Sequence, residues 1–116
     1  MKRSEIDSLR RYESADDFFG LSGSVVMKLT VTAANAVCEQ AARRGLVIYR
    51  VEGGIWHPTG FEARVDCIWD GEFPPIDYHK AEANNLRAAT FISSEREVHD
   101  VFVLSAKAFG EEMTVR

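Results

Sequence analysis

The sequence predicts an α+β domain: a small antiparallel sheet of about three strands with two helices packed on one face. The order is helix, strand, strand, helix, strand. Two stretches place apolar residues at three- and four-residue intervals, and three others are short and β-branched or alternating. Glycines and prolines separate these stretches. Three short strands give two helices too little sheet to cover both faces, so the helices share one face and the other is wet.

Residues 1–26 carry alternating charges and then the loop-like Gly20-Leu21-Ser22-Gly23-Ser24. A short helix around residues 3–12 would bury little, so this segment is expected to be a flexible N-terminal arm. Met27-Lys28-Leu29 reads as a fresh beginning, with Met27 an alternative start and 27–116 a single domain. Thr30 or Thr32 caps the first helix, whose inner stripe is Ala34, Val37, Cys38 and Ala41. Arg43 and Arg44 suit the negative end of its dipole, and Gly45 supplies a left-handed stop. A strand over Leu46–Val51 ends at Gly53-Gly54. In residues 61–70, Phe61, Ala63, Val65, Cys67 and Trp69 point to the core, and Glu62, Arg64, Asp66 and Asp70 to solvent, with Ile68 the exception. Gly71, Pro74 and Pro75 make a loop. A helix follows over about 79–94 with Leu86, Ala89 and Ile92 inward, then a strand over Val101–Ala106 and a polar tail from Gly110.

At 116 residues, with 46% hydrophobic and 28% charged, the composition is that of one ordinary globular domain. The longest apolar runs fall far short of the ~20 residues a membrane helix needs. The charged start Met1-Lys2-Arg3-Ser4-Glu5 does not resemble a secretory signal, so a cytoplasmic protein is expected. Cys38 and Cys67 show no paired metal or redox spacing and read as small, reduced core residues. The net charge is −4, and seven acids against three bases between Leu46 and Asn85 account for all of it. Nucleic-acid binding draws on clustered lysine and arginine, so the expected partner is a basic protein rather than nucleic acid.

No catalytic, cofactor or metal motif stands out. His57, His79 and His99 lack any i,i+3 or i,i+4 relation to one another, which excludes a two-histidine helical metal face. An alternative reading is a small metal-independent ribonuclease that brings His57 and His79 together beside Lys80. Gly53-Gly54 and Gly60 lack the lysine and helix of a phosphate loop. Glu62 and Asp66 are two pleats apart, roughly 13 Å, too far for paired-carboxylate chemistry.

The connection from Glu52 to Gly60 is longer than a tight turn and carries Ile55, Trp56 and His57 between glycines and Pro58. Either Trp56 folds onto the sheet edge as core, or Ile55, Trp56 and His57 stay partly exposed as an anchor, a role in which tryptophan is over-represented. Glu62, Asp66, Asp70, Glu72 and Asp77 surround it in sequence. Asn84-Asn85 lie early in the second helix, either as cap or turn residues or as direct hydrogen-bond partners of another protein.

From Met27 to about Ile92 the chain resembles the colicin E5 immunity family without a gap. The likeness runs through Met27-Lys28-Leu29, Ala33-Ala34, Val37-Cys38, Ala41-Ala42 and Gly45-Leu46. It continues with Gly53-Gly54, Trp56, Gly60-Phe61, Trp69, Pro74, Lys80 and Asn84-Asn85. Residues 1–26 have no counterpart in the pattern, and Ile55 and His57-Pro58-Thr59 differ from it. The resemblance implies an inhibitor, not an enzyme: a cytoplasmic immunity protein that fills the RNA cleft of a transfer-RNA-cleaving toxin of a colicin or contact-dependent-inhibition system. It needs no cofactor and pairs one-to-one with the toxin. On that reading the toxin-binding residues are Glu52, Ile55, Trp56, His57, Glu62, Asp66, Asp70, Glu72, Asp77 and Asn85.

Overall fold

The computed structural model describes residues 6–57 and 60–110. Pro58, Thr59, the first five residues, the tail beyond Gly110 and the side chain of Val65 lie outside the described residues. In chain order the elements are β1 (Arg11–Tyr12), α1 (Ala15–Gly20), β2 (Lys28–Leu29) and α2 (Val31–Ala41). A 3-10 turn over Ala42–Arg44 follows, then β3 (Leu46–His57), β4 (Gly60–Asp70), α3 (Tyr78–Glu95) and β5 (Val101–Ala108). They form one sheet in the order β1-β2-β5-β3-β4, antiparallel except for the parallel β1–β2 pair. The α+β class stands, with a correction: the sheet is mixed and five-stranded, and a third helix, α1, precedes the expected two.

Residues 6–26, expected as a flexible arm, supply β1, α1 and the core side chains Tyr12, Ala15 and Phe18. Tyr12 and Phe18 are each 2% exposed. Both are aromatic, and aromatics carry large buried area. Helix α1 starts where the Ser14 side chain accepts the Asp16 N–H, beyond the helix expected at 3–12. The segment also closes the sheet. Val25 N–H donates to the Leu104 carbonyl, and the Ser24 hydroxyl bonds both the N–H and carbonyl of Ala106. An edge of β5 that would otherwise invite another chain is thereby occupied.

Helix α2 forms as its periodicity predicts. Thr30 Oγ1 accepts the Ala33 N–H at 3.1 Å, and Ala34, Val37, Cys38 and Ala41 are buried. Gly45 ends the following turn at φ +82°, its N–H on the Ala42 carbonyl. Helix α3 begins at Asp77, whose carboxylate accepts the Lys80 N–H at 2.8 Å. Asp77→Ala is expected to cost about 1 kcal/mol, read as a lower denaturant midpoint with an unchanged slope. The inward face of α3 is only partly the expected one: Ile92 is buried and Ala89 packs partly buried on the core, but Leu86 is 54% exposed and Ala81, Asn84, Asn85 and Ala88 fill the rest of the stripe. Two asparagines in the stripe hide its periodicity.

Those asparagines answer a bulge. Between the pairs Ile48–Ala106 and Arg50–Ser105, β3 carries one extra residue, Tyr49, which breaks the ladder. Ile48 N–H donates to Asn85 Oδ1 at 2.8 Å, and Asn85 Nδ2 donates to the Leu46 carbonyl at 3.0 Å. Asn84 Nδ2 donates to the Ile48 carbonyl at 2.7 Å, and Asn84 Oδ1 accepts the Glu72 N–H at 2.8 Å. The backbone groups are therefore satisfied by side chains from the helix above.

A second irregularity lies between β3 and β4. From the pair Glu52–Ile68 to the pair Gly54–Ala63, β3 spends one residue, Gly53, and β4 spends Arg64 to Cys67. This offset shifts the alternation of β4. Cys67 and Trp69 belong to the helix-covered core, as expected, whereas Phe61 and Ile68 lie on the other face with Glu52 and Val103. Ile68 thus ceases to be an exception. Gly53-Gly54, expected to end the strand, instead let β3 run on to His57, because β4 approaches where a side chain would stand.

Candidate functional site

Beyond Gly54, β3 leaves β5 and continues with β4 as a two-stranded ribbon. The register sets Trp56 opposite Phe61 and Ile55 opposite Glu62, so the ribbon has an aromatic side and a polar side. Trp56 is half-buried, the partial exposure of the anchor reading rather than a core position. Its N–H donates to the Asp100 carboxylate at 2.8 Å, which extends the ladder past the end of β5. Arg11, paired with Asp100, holds its guanidinium 5.9 Å from the indole ring centre. On the polar side, His57 Nε2 lies 2.7 Å from Glu62, and Arg64 lies 2.9 Å from the other carboxylate oxygen. The hydrogen bond from His57 and, next, the charge of Arg64 hold the Glu62 carboxyl below the usual carboxylate range.

The structure separates the expected toxin-binding residues. Glu52 and Asp70 share the open face of the sheet, and Arg50 bridges them at 3.0 and 2.9 Å. Trp56 continues that face, Ile55, His57 and Glu62 occupy its reverse, and Asp66 is exposed on the β4 bulge. Glu72 lies at the far end of β4, 3.7 Å from Arg87, and Asp77 caps α3 there. Asn85 requires a correction: it is 1% exposed and its amide is committed to β3, so it has no surface to offer a partner. The loop expected over 52–60 is strand as far as His57, a second correction.

Sequence reasoning missed the open-face groove. Ile6, Ser8, Val25, Val26, Lys28, Glu52, Phe61 and Val103 line a depression of about 490 Å³. Val103 is only 5% exposed, so this face is not simply wet. Val25 is held at φ +78°, a strained conformation for a β-branched side chain, and remains 56% exposed. Phe61 was unreadable because a regular strand would have turned it inward. Among the described residues, Cys67, Glu95 and His99 place their donor atoms within 4.8 Å of one another. The only local signal for that trio is the four-residue step from Glu95 to His99.

His57 and His79, paired in the alternative ribonuclease reading, do not meet. His57 ends β3, while His79 is in the first turn of α3, which packs at the other end of that strand. A strand of twelve residues spans roughly 35 Å.

The family model for the colicin-E5 immunity protein matches residues 27–97. Immunity protein CdiI of Burkholderia pseudomallei is 64% identical over 101 residues, 87% of this chain and 93% of its own length. The chain belongs to the colicin-E5 immunity family. Two Escherichia coli members, the colicin-E5 immunity protein and the colicin-E5 immunity protein in ColE9, are each 33% identical over 82 residues, 70% of this chain and 99% of theirs. The alignment with CdiI is longer than the stretch from Met27 to the end, so that likeness reaches into the segment carrying β1 and α1. No helix among the described residues is long and apolar enough to cross a membrane.

Proposed function

We propose that this immunity-family chain binds a cognate ribonuclease toxin one-to-one in the cytoplasm and blocks its RNA cleft with both sides of the projecting β3–β4 hairpin and the open sheet face beside it. The observation that carries the reading is the extended likeness to immunity proteins, one of them at 64% identity. The geometry supports this choice of surface. A cleft that binds RNA is cationic, and Glu52, Glu62, Asp66 and Asp70 offer it carboxylates while Trp56 and Phe61 offer aromatic area. Arg50 and Arg64 reduce the net field of those acids. They also hold the carboxylates in set directions, which lowers the ordering cost of binding.

Trp56→Ala is expected to weaken toxin binding by about 2 kcal/mol, roughly 30-fold in Kd, measured by calorimetry. Asp66→Lys is expected to slow association, more so at low salt, in stopped-flow measurements. Folding of both variants is checked by circular dichroism. If both fold and bind as the parent does, the toxin sits elsewhere and the proposed surface is wrong.

A further inference from the structure

We propose that Cys67, Glu95 and His99 form a binding site for a zinc-type divalent cation, one that ties the base of the projecting hairpin to the end of α3. The three donors come from three elements: Cys67 from the β4 bulge, Glu95 from the last position of α3, and His99 from the turn before β5. Their ligand atoms lie within 4.8 Å of one another, and His99 Nδ1 is 3.2 Å from Glu95 Oε1. Tetrahedral zinc with bonds of about 2.0 to 2.3 Å separates its ligand atoms by roughly 3.3 to 3.8 Å. Small side-chain rotations therefore suffice to close the shell.

The second observation is an orphan. His99 is 4% exposed, and its Nδ1, though close to Glu95, makes no hydrogen bond. A buried ring nitrogen without a partner is costly, and with its proton on Nε2 it aims a lone pair into the cluster. The fold prepares the pair: the His99 N–H donates to the Glu95 carbonyl at 2.9 Å, which fixes the two residues one turn apart. It also prepares the thiol. A Cβ on Gly53 would overlap Cys67 Sγ, so the missing side chain there makes room for the sulfur.

The donor set selects the ion. Thiolate with imidazole and one carboxylate suits zinc rather than magnesium or calcium, which take oxygen ligands. Zinc binding releases the Cys67 proton to solvent; thiolate and carboxylate then balance the two positive charges while imidazole stays neutral. No net charge is left buried. Glu95 keeps 31% of its side chain exposed, giving the ion a way in and a water the fourth position.

The test uses the full chain, reduced and stripped with a chelator, and titrated with Co²⁺ and then Zn²⁺. Expected are a thiolate-to-cobalt charge-transfer band saturating at one ion per chain, its loss when zinc displaces cobalt, and a Tm raised by roughly 10 °C at zinc 100-fold above Kd. Cys38→Ser retains all three effects. Cys67→Ser abolishes the band, and Glu95→Gln weakens zinc binding by at least about tenfold. Should Cys67→Ser fail to fold, Glu95→Gln carries the test, because that side chain is partly exposed at a helix end. An absent band, or cobalt and zinc binding unchanged in Glu95→Gln, overturns the proposal. Both readouts need no toxin, so they stand or fall separately from the inhibitory function.

Discussion

Replacing Asn85 with alanine is expected to destabilise the domain by about 3 to 4 kcal/mol, the larger of two effects that follow from how β3 is held. The substitution leaves the Ile48 N–H and the Leu46 carbonyl without their bonds from Asn85. Asn84 Nδ2 also loses its contact with Asn85 Oδ1 at 3.1 Å. Each buried polar group left unpaired costs about 1 to 3 kcal/mol, and water does not reach a position 1% exposed without opening the helix–sheet seam. Asn85→Asp separates the two halves of the effect: it keeps an acceptor for Ile48 but loses the donor to Leu46 and buries a charge. Equilibrium urea unfolding measures both. A shift below 1 kcal/mol in Asn85→Ala would show that the bulge finds other partners and that the asparagine pair has a different purpose.

The second large effect is expected at Gly54. A Cβ there would overlap the Glu62 carbonyl and the Phe61 ring, a backbone atom and a half-buried aromatic, neither of which yields cheaply. Gly54→Ala is therefore expected to cost about 3 kcal/mol as β4 is pushed off β3. It should also weaken toxin binding in the fraction that stays folded, because the displaced strand carries the partner of Trp56. Gly20→Ala is the control. It lies at the end of α1 with nothing within 4 Å of a Cβ and is expected to be neutral or stabilising by a few tenths to about 1 kcal/mol. Equal effects at the two glycines in thermal unfolding would mean that close strand approach is not what Gly54 provides.

The two halves of the chain were unequally legible. Helix α2 was read correctly from Thr30 to Gly45 because its cap, its alanine stripe and its stop are all local. The ends of β4 and the start of β5 were likewise visible from composition alone. Helix α3 was found, but of its buried face only the C-terminal part around Ile92 was. A stripe running Ala81, Asn84, Asn85, Ala88, Ile92 looks half polar until the Tyr49 bulge supplies a reason for buried amides. Strands β1 and β2, of two residues each, have no periodicity to detect, and their pairing partners lie far along the chain.

The candidate site divides in the same way. Trp56 and its acidic neighbours could be picked out as residue types, and the purpose proposed for them came from the family resemblance. Their grouping could not be read. Phe61 joined the open face only because β4 spends Arg64 to Cys67 against one glycine, and Asn85 left the surface because helix and strand meet over it.

By itself, then, the sequence determined the α+β class, the order of the main elements, the family, and the tryptophan and carboxylates available to a candidate site. These depend on short-range spacing and on resemblance, both written along the chain. Only the tertiary structure decided which side chains share a face, which carboxylates already hold an arginine, and that Cys67, Glu95 and His99 converge. The physical reason is that two bulges reset the alternation of the strands, and a bulge is settled by what packs across it rather than by its own residues.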